Sequence, residues 1–390
     1  MSAPLSVAAL HEQPIALVAA VTGGGVSLAS DLLTVPGGSR TVLEVSVPYS
    51  TEALAGFLGR VPDRFCSGPT ALAMAAAAWQ RARRLLRPGD DRFAIGLGIT
   101  AALRSDRPKR GDHRAHVAVQ SLGGTSLHSL TLAKGQRSRV EEDRLVSRVS
   151  LEAVHRFLSP DPTAHPDGLR DDDRFAATAR AFPDDVAAML DGVLDHAVLP
   201  AGDRPDWPAG DRPDWPAGDR PDWIGLLPGS FNPRHRGHER LRDAAAAHLG
   251  GAVGYELTLS NADKPPLDAI TLHDRLRPFD EPVLITQAAT FTEKARIHPG
   301  VFVVGVDTAE RVLQPRFYGG TAGRDASLAE LAALGGRFLV ADRLDGDSLK
   351  SLDDLDVGRF GTLFERLPNF REDISSTELR STEIRGAGET

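Results

Sequence analysis

Gly229-Ser230-Phe231-Asn232-Pro233-Arg234-His235-Arg236-Gly237-His238 follows the short apolar run Ile224–Leu227 and opens a helical pattern over Gly237–Leu249. Gly229 lets the chain turn off a strand, Asn232-Pro233 extends the loop, and Gly237 brings the backbone close to a ligand where the helix begins. Free amides and the positive dipole end of such a helix make an anion site. His235 and His238 stand three residues apart, so both imidazoles face one ligand. Arg234 and Arg236 add positive charge nearby. The run reads as a polyphosphate cradle on a strand–loop–helix unit, against the alternative of a surface loop with two chance histidines. A metalloprotease-type zinc helix is excluded, because H-E-x-x-H is absent and Glu239 follows the second histidine.

Working outward, Tyr255–Leu259, Val301–Val306 and Phe338–Ala341 are further short apolar strands with helical patterns between them. This alternation predicts an α/β fold with a parallel, doubly wound sheet and ligands at the carboxyl ends of its strands. The upstream half is also α/β. Pro14–Val21 reads as a strand, followed by the glycine run Gly23–Gly25 and a helical pattern through Leu33. Val42–Val47, Phe93–Ile99 and His116–Gln120 read as strands, and Thr70–Leu86 as a long alanine-rich helix.

Between the halves the octapeptide PAGDRPDW occurs three times, at Pro200–Trp207, Pro208–Trp215 and Pro216–Trp223. Two prolines per copy exclude a helix or a central strand, and the unit lacks the apolar face of a solenoid repeat. It reads as an extended linker, with a tryptophan-mediated docking element as the alternative. Ser159–Asp184 is also Pro/Asp-rich, and Asp185–His196 is helix-like. The expected organisation is a first domain over residues 1–160, a linker over 161–223 and a second domain over 224–390.

The composition suits this. A length of 390 residues fits two or three domains, and 41% hydrophobic with 25% charged residues is a globular balance. The net charge of −8 argues against nucleic acid as a partner, while leaving room for a local phosphate pocket. Cys66 is the sole cysteine, which excludes an intramolecular disulfide and a Cys-rich zinc module. The first residues lack a basic segment followed by a long apolar one, and the longest apolar run, Ala71–Trp79, is too short to span a bilayer. A soluble, cytoplasmic protein without a membrane partner is expected.

The ten-residue run resembles the G-[ST]-F-[ND]-P-x-H-x-G-H signature of the nucleotidyltransferase superfamily. Ile374-Ser375-Ser376-Thr377-Glu378-Leu379-Arg380 resembles its I-S-[ST]-T-x-x-R motif. Val304-Gly305-Val306-Asp307 is similar to its G-x-D element, and Asn261-Ala262-Asp263-Lys264-Pro265-Pro266 to its N-x-x-P-P-like loops. The similarity covers Trp223 to Arg385 and is greatest to the nicotinamide or nicotinate mononucleotide adenylyltransferases. It implies a Rossmann-like domain that joins AMP from ATP to a pyridine mononucleotide and releases pyrophosphate, in NAD biosynthesis or salvage, with Mg²⁺ accompanying ATP. In that reading His238 bonds the α-phosphate and His235 its neighbours, while Lys264 and Arg380 neutralise the triphosphate. Gly229, Ser230, Phe231, Gly237, Gly305, Ile374, Ser375, Ser376 and Thr377 shape the nucleotide site, and Asp307 faces the nucleoside. Two other readings stay open: another phosphorylated acceptor such as phosphopantetheine, and a non-catalytic nucleotide sensor.

Residues 10–158 resemble the CinA C-terminal family of nicotinamide-nucleotide amidases. Ala19-Ala20-Val21-Thr22-Gly23-Gly24 is similar to its E-S-C-T-G-G, and Val47-Pro48-Tyr49-Ser50-Thr51-Glu52-Ala53-Leu54 to its V-x-Y-S-N-E-A-K. Gly96–Leu103 sits where that family has a glycine-rich loop. The expected serine nucleophile falls at Ala20, the acid at Ala19 and the activating lysine at Leu54. Tyr49 remains, but without a nucleophile it cannot run acyl transfer. The resemblance therefore implies a kept α/β fold, lost amidase activity and a possible homo-oligomer through this half. A dinucleotide loop over Thr22–Leu28 is the alternative, and it lacks the third glycine of G-x-G-x-x-G.

Overall fold

The structure is a computed structural model that describes residues 6–107, 109–159, 165–199, 222–259, 265–345 and 348–372. Lys264, Ile374, Ser375, Ser376, Thr377, Arg380 and the repeats up to Pro221 lie outside the described residues. The chain divides into two compact units. One comprises Met1–Pro183 with Ala262–Leu272, the other Asp184–Asn261 with His273–Thr390.

In the first unit, α1 (Val7–Leu10) leads into β1 (Ile15–Thr22), α2 (Ser27–Leu33), α3 (Gly38–Thr41), β2 (Val42–Ser46), α4 (Thr51–Leu58) and α5 (Gly68–Leu85). Then come β3 (Phe93–Ala102), β4 (His113–Ser121), β5 (Gly124–Leu132), α6 (Arg139–Leu158) and β6 (Arg174–Ala181). The sheet order is β2-β1-β3-β4-β5-β6 among the described residues. β2, β1 and β3 run parallel, whereas β3 through β6 pair antiparallel. The sheet is mixed, because β3 to β4 and β4 to β5 are joined by short connections rather than by crossover helices.

All eight residues of β1 are buried, as expected of a strand covered on both faces. Ile15, Leu17, Ala19 and Val21 pack with Leu28 and Leu32 of α2 and with Leu145, Val146 and Val149 of α6. On the opposite face Val18 packs with Ala78 and Ala82 of α5, and Ala20 with Met74 of α5 and Leu54 and Leu58 of α4. α5 lies very close to β3. A Cβ on Gly96 would stand 2.1 Å from the Ala75 carbonyl oxygen, and one on Gly98 2.3 Å from that of Ala71. Gly96 and Gly98 are thus helix-on-strand packing positions inside β3, not members of a loop.

The second unit holds α7 (Asp184–Leu190), β7 (His196–Leu199), β8 (Gly225–Gly229), α8 (Arg236–Leu249) and β9 (Val253–Thr258). α9 (Ala269–Leu276) starts among first-unit residues and ends in this one. β10 (Val283–Thr286), α10 (Phe291–Ile297), β11 (Val301–Gly305), α11 (Val306–Leu313), α12 (Thr321–Ala333), β12 (Arg337–Asp345), β13 (Ser348–Lys350) and β14 (Phe364–Glu372) follow. The sheet runs β13-β12-β11-β8-β9-β10-β7, with β14 also on β12. β10, β9, β8, β11, β12 and β14 are parallel, and β7 and β13 are antiparallel additions. Counted from β8, the parallel strands stand third, second, first, fourth, fifth, so the order reverses between β8 and β11. In open α/β sheets that reversal is where a ligand crevice opens.

The expected borders need correcting. The span 161–223 is not linker throughout. β6 extends the first sheet by pairing with β5, and β7 pairs with β10 in the second. Helix is confined to Asp184–Leu190 within the helix-like stretch, and His196 already begins a strand. The span 224–390 is interrupted as well. Ile270 packs with Ala71, Leu72, Ala75 and Ala118, and the Ala269 N–H donates to Thr125 Oγ1 at 2.9 Å. No helix among the described residues is long and apolar enough to cross a membrane.

Candidate functional site

β8 ends at Gly229, and a Cβ there would stand 2.6 Å from the ring of Phe231. Phe231 has φ 42°, a left-handed conformation that costs a non-glycine residue on the order of 1–3 kcal/mol. Its ring is held by edge-to-face contacts with Tyr255 at 5.4 Å, Phe279 at 5.2 Å and His238 at 5.1 Å. That packing keeps the side chain 1% exposed. The Asn232–Pro233 peptide is cis. Phe231 is thus a buried anchor that shapes the loop from below. Ser230 is exposed, and its carbonyl accepts from Arg275 at 2.9 Å.

The start of α8 is capped by both histidines at once. His235 Nδ1 accepts the Gly237 N–H at 3.1 Å, and His238 Nδ1 accepts the His235 N–H at 3.2 Å. The ring centroids lie 3.9 Å apart. A backbone N–H can only donate, so each Nδ1 is an acceptor and each ring carries its proton on Nε2. Burial lowers His238 to about 4, with help from the nearby His235 and Arg234. At neutral pH it is therefore an uncharged ring with a fixed Nε2–H donor. His238 presents this donor at a helix N-terminus beside the strand-order reversal between β8 and β11. β8 and β11 pair only through Val301–Gly225 and Phe302–Leu226, so they are unpaired toward their carboxyl ends.

Arg234 is not a phosphate-facing cation. Its side chain is 6% exposed, lies 4.6 Å from the Phe279 ring centroid and 5.0 Å from that of Tyr255, and pairs with Glu281 at 2.8 Å. Arg242 also pairs with Glu281 and covers Tyr255. Burial raises the Tyr255 hydroxyl, against the lowering charge of the two arginines. Arg234 fixes the loop from inside, while Arg236 is exposed.

Gly305 ends β11 and caps α11, and a Cβ there would meet nothing within 4 Å. Its bareness is not demanded by protein packing. Asp307, in the first turn of α11, is committed to Arg343 and, at 3.4 Å, to Lys350, which also pairs with Glu310 at 2.7 Å. Burial alone would raise Asp307, but the hydrogen bond and charge of Arg343, then Lys350, hold it below the ordinary carboxylate value. β14 runs parallel to β12 with Glu372 beside Arg343. β14 therefore ends at the carboxyl end of the sheet, the end that carries His235, His238 and Gly305.

Sequence reasoning missed a buried polar cluster. Lys294 Nζ lies 2.8 Å from both oxygens of Glu256, which also accepts from Thr286 at 2.6 Å and from Thr258 at 2.8 Å. Glu256 is fully buried and Lys294 nearly so. The available signal was a charge inside the apolar strand Val253–Thr258 and another in the capped helix α10. The cluster ties α10 to the ends of β9 and β10. Among the described residues no group of three or more His, Cys, Asp or Glu is disposed to hold a metal ion.

In the first unit, Ala20 and Leu54 come together, but in an apolar cluster with Leu58 and Met74, at 0% and 1% exposure. Ala19 points to the other face of the sheet, and Tyr49 is 66% exposed.

No protein-family model matches the chain, and no curated protein matches it. Among solved structures, it is similar to the competence/damage inducible protein CihA from Agrobacterium tumefaciens, at 21% identity and a TM-score of 0.33, over 39% of this chain and 91% of that one. It is also similar to a competence-damaged protein (CinA) superfamily protein from Escherichia coli, at 18% identity and a TM-score of 0.31, over 38% of this chain and 83% of that one. A CinA superfamily protein from Enterobacter cloacae has 16% identity and a TM-score of 0.32, over 41% of this chain and 94% of that one.

Proposed function

We propose that the second unit is an adenylyltransferase that transfers AMP from MgATP to a pyridine mononucleotide and releases pyrophosphate. The observation that carries this reading is the reciprocal cap, which gives His238 a neutral ring with an oriented Nε2–H donor at the N-terminus of α8. In such a transfer the acceptor's phosphate oxygen attacks the α-phosphorus in line, the bond to the β-phosphate oxygen breaks, and pyrophosphate leaves with its electron pair. The protein needs no nucleophile, only positioning and charge stabilisation. A neutral donor that is already oriented by a backbone amide suits the charge that grows on the α-phosphate oxygens, because little reorganisation is needed. Mg²⁺ enters as the partner of the ATP phosphates.

The strand-order reversal, the bare Gly305 and the exit of β14 at the same sheet end support the reading. The ion pairs of Asp307 qualify it: facing a nucleoside, Asp307 would do so as one member of the Arg343–Lys350 cluster. In the first unit, the apolar surroundings of Ala20 and Leu54 support the absence of amidase chemistry. The test is pyrophosphate release by the full chain with MgATP and a panel of nicotinamide mononucleotide, nicotinate mononucleotide and phosphopantetheine. Release that depends on either pyridine mononucleotide is expected. Release with phosphopantetheine alone would overturn the acceptor, and none with any acceptor would overturn the reading.

A further inference from the structure

The two edges of the first unit's sheet differ. β2, at one edge among the described residues, is five residues long and half-buried throughout. β6, at the other edge, is eight residues long and exposed except for the half-buried Phe175. An edge strand leaves every second residue's N–H and C=O without a ladder partner, and proteins usually blunt it with proline, lysine, a bulge or a short strand. β6 contains neither proline nor lysine, and it pairs with β5 in unbroken register from Arg174 to Ala181. Ala176, Ala177, Ala179 and Ala181 are small, so a further strand can lie close beside it.

The charges on and beside β6 select the occupant. Arg174 and Arg180 are exposed, and so are Asp171 and Asp172 in the turn that leads into the strand. Asp172 accepts from Gln136 Nε2 at 3.0 Å, and Arg180 Nη1 donates to the Ala179 carbonyl at 3.0 Å, both at the surface. The strand thus has an acidic turn before its first residue and an arginine near its last, and an antiparallel second copy brings those ends together. Residues opposite one another in an antiparallel pair share their hydrogen-bonding state, which alternates along the strand. A two-fold pairing of β6 with itself therefore joins residues whose numbers differ by an even count. Centred on Ala177, it would set Arg174 against the partner's Arg180 twice over. Centred on Thr178, it would set Arg180 against the partner's Ala176, with no opposite charge gained. Centred on Ala176, it sets Arg174 against the partner's Thr178, Phe175 against the partner's Ala177, and Arg180 over the acidic turn at the partner's Asp172.

We propose that β6 is a dimerisation edge: a second copy of this chain adds its own β6 antiparallel, centred on Ala176, and joins the two first-unit sheets into one. Charge complementarity carries this, because of the three central registers only this one gives each Arg180 an acidic partner and keeps arginine away from arginine. The added strand satisfies the outward backbone groups of both copies, and Phe175 gains an apolar neighbour on its own face of the sheet. The inference stands independently of the adenylyltransferase reading, and no step of that transfer uses it.

The test is sedimentation equilibrium of the full chain for wild type, Asp172→Arg, Arg180→Asp and an equimolar mixture of the two variants. Wild type should form a dimer. Each variant alone sets like charges together at two places, and reversing two exposed pairs should weaken its dimer on the order of 10–30-fold. In the mixture, one copy of each variant restores opposite charges at both places, so a mixed dimer should return to near the wild-type affinity. Wild type that stays monomeric at every concentration would overturn the inference. A dimer that neither variant weakens, or a mixture that recovers nothing, would overturn it too, since the interface would then not have this register. Hydrogen exchange reads the backbone: every second amide of β6 should exchange more slowly in concentrated than in diluted wild type, and equal rates would refute the edge pairing. Neither readout involves pyrophosphate release, so its failure is separate from any failure of the proposed transfer.

Discussion

Replacing His238 separates the cap that its ring makes from the donor role proposed for it. Its Nδ1 caps the His235 amide, and its Nε2–H is the donor assigned to the α-phosphate. Asparagine keeps an acceptor near the Nδ1 position and supplies no counterpart of Nε2–H, whereas alanine removes both. His238→Ala should lose a cap, about 1 kcal/mol, and the edge contact with Phe231, about 0.5–1.5 kcal/mol, for a total near 2 kcal/mol. His238→Asn should keep most of the cap. Both should lose on the order of 10²–10³ in kcat for pyrophosphate release, measured below the melting temperature of each.

The acid limb gives a second readout. The His238 pKa falls from an ordinary 6.5 to about 4 in the folded chain. Its contribution is fully present above pH 6.5 and is lost as pH falls toward 4, because the unfolded state takes up the proton first. At about 1.4 kcal/mol per pH unit the loss approaches about 3 kcal/mol. Denaturant titrations from pH 7 to 4 should show that slope in wild type and a shallower one in both variants. Wild-type turnover in folded His238→Asn would refute the donor role, and an unchanged acid slope would refute the buried neutral ring.

Three other outcomes follow from the same packing. The full chain should release no ammonia from nicotinamide mononucleotide above a buffer control, since Ala20 offers no attacking atom; an ammonia assay in the His238→Asn background checks it. Leu54→Lys should destabilise the chain by several kcal/mol in urea titrations, because it drives an ammonium into the cluster of Ala20, Leu58 and Met74. Lys294→Met should cost about 3–5 kcal/mol by stranding Glu256, and adding Glu256→Gln should recover part of it, a coupling that a double-mutant cycle reads.

How far the sequence could be read depended on whether burial left a periodic mark. β1 was legible as an unbroken apolar run because both of its faces are covered. β6 was not, because nearly all of its residues are exposed and its place in the sheet rests on backbone bonds to β5. The histidine pair was legible as a motif, but its reciprocal Nδ1 caps, and hence which ring nitrogen carries the proton, are properties of the turn geometry. Arg234 read as a phosphate cation, since a positive charge in a glycine-histidine loop looks alike whether it faces a ligand or two aromatic rings. Glu256 and Lys294 are 38 positions apart, and no local pattern pairs them.

The proposed adenylyltransferase uses His235 and His238 in transfer of AMP to a pyridine mononucleotide. The most direct measurement is chromatographic and mass identification of the dinucleotide formed by the full chain from MgATP with nicotinamide or nicotinate mononucleotide, beside folded His238→Asn. Dinucleotide and pyrophosphate are expected in equal amounts from wild type, falling on the order of 10²–10³-fold in the variant. No dinucleotide from wild type, or equal amounts from both proteins, would contradict it.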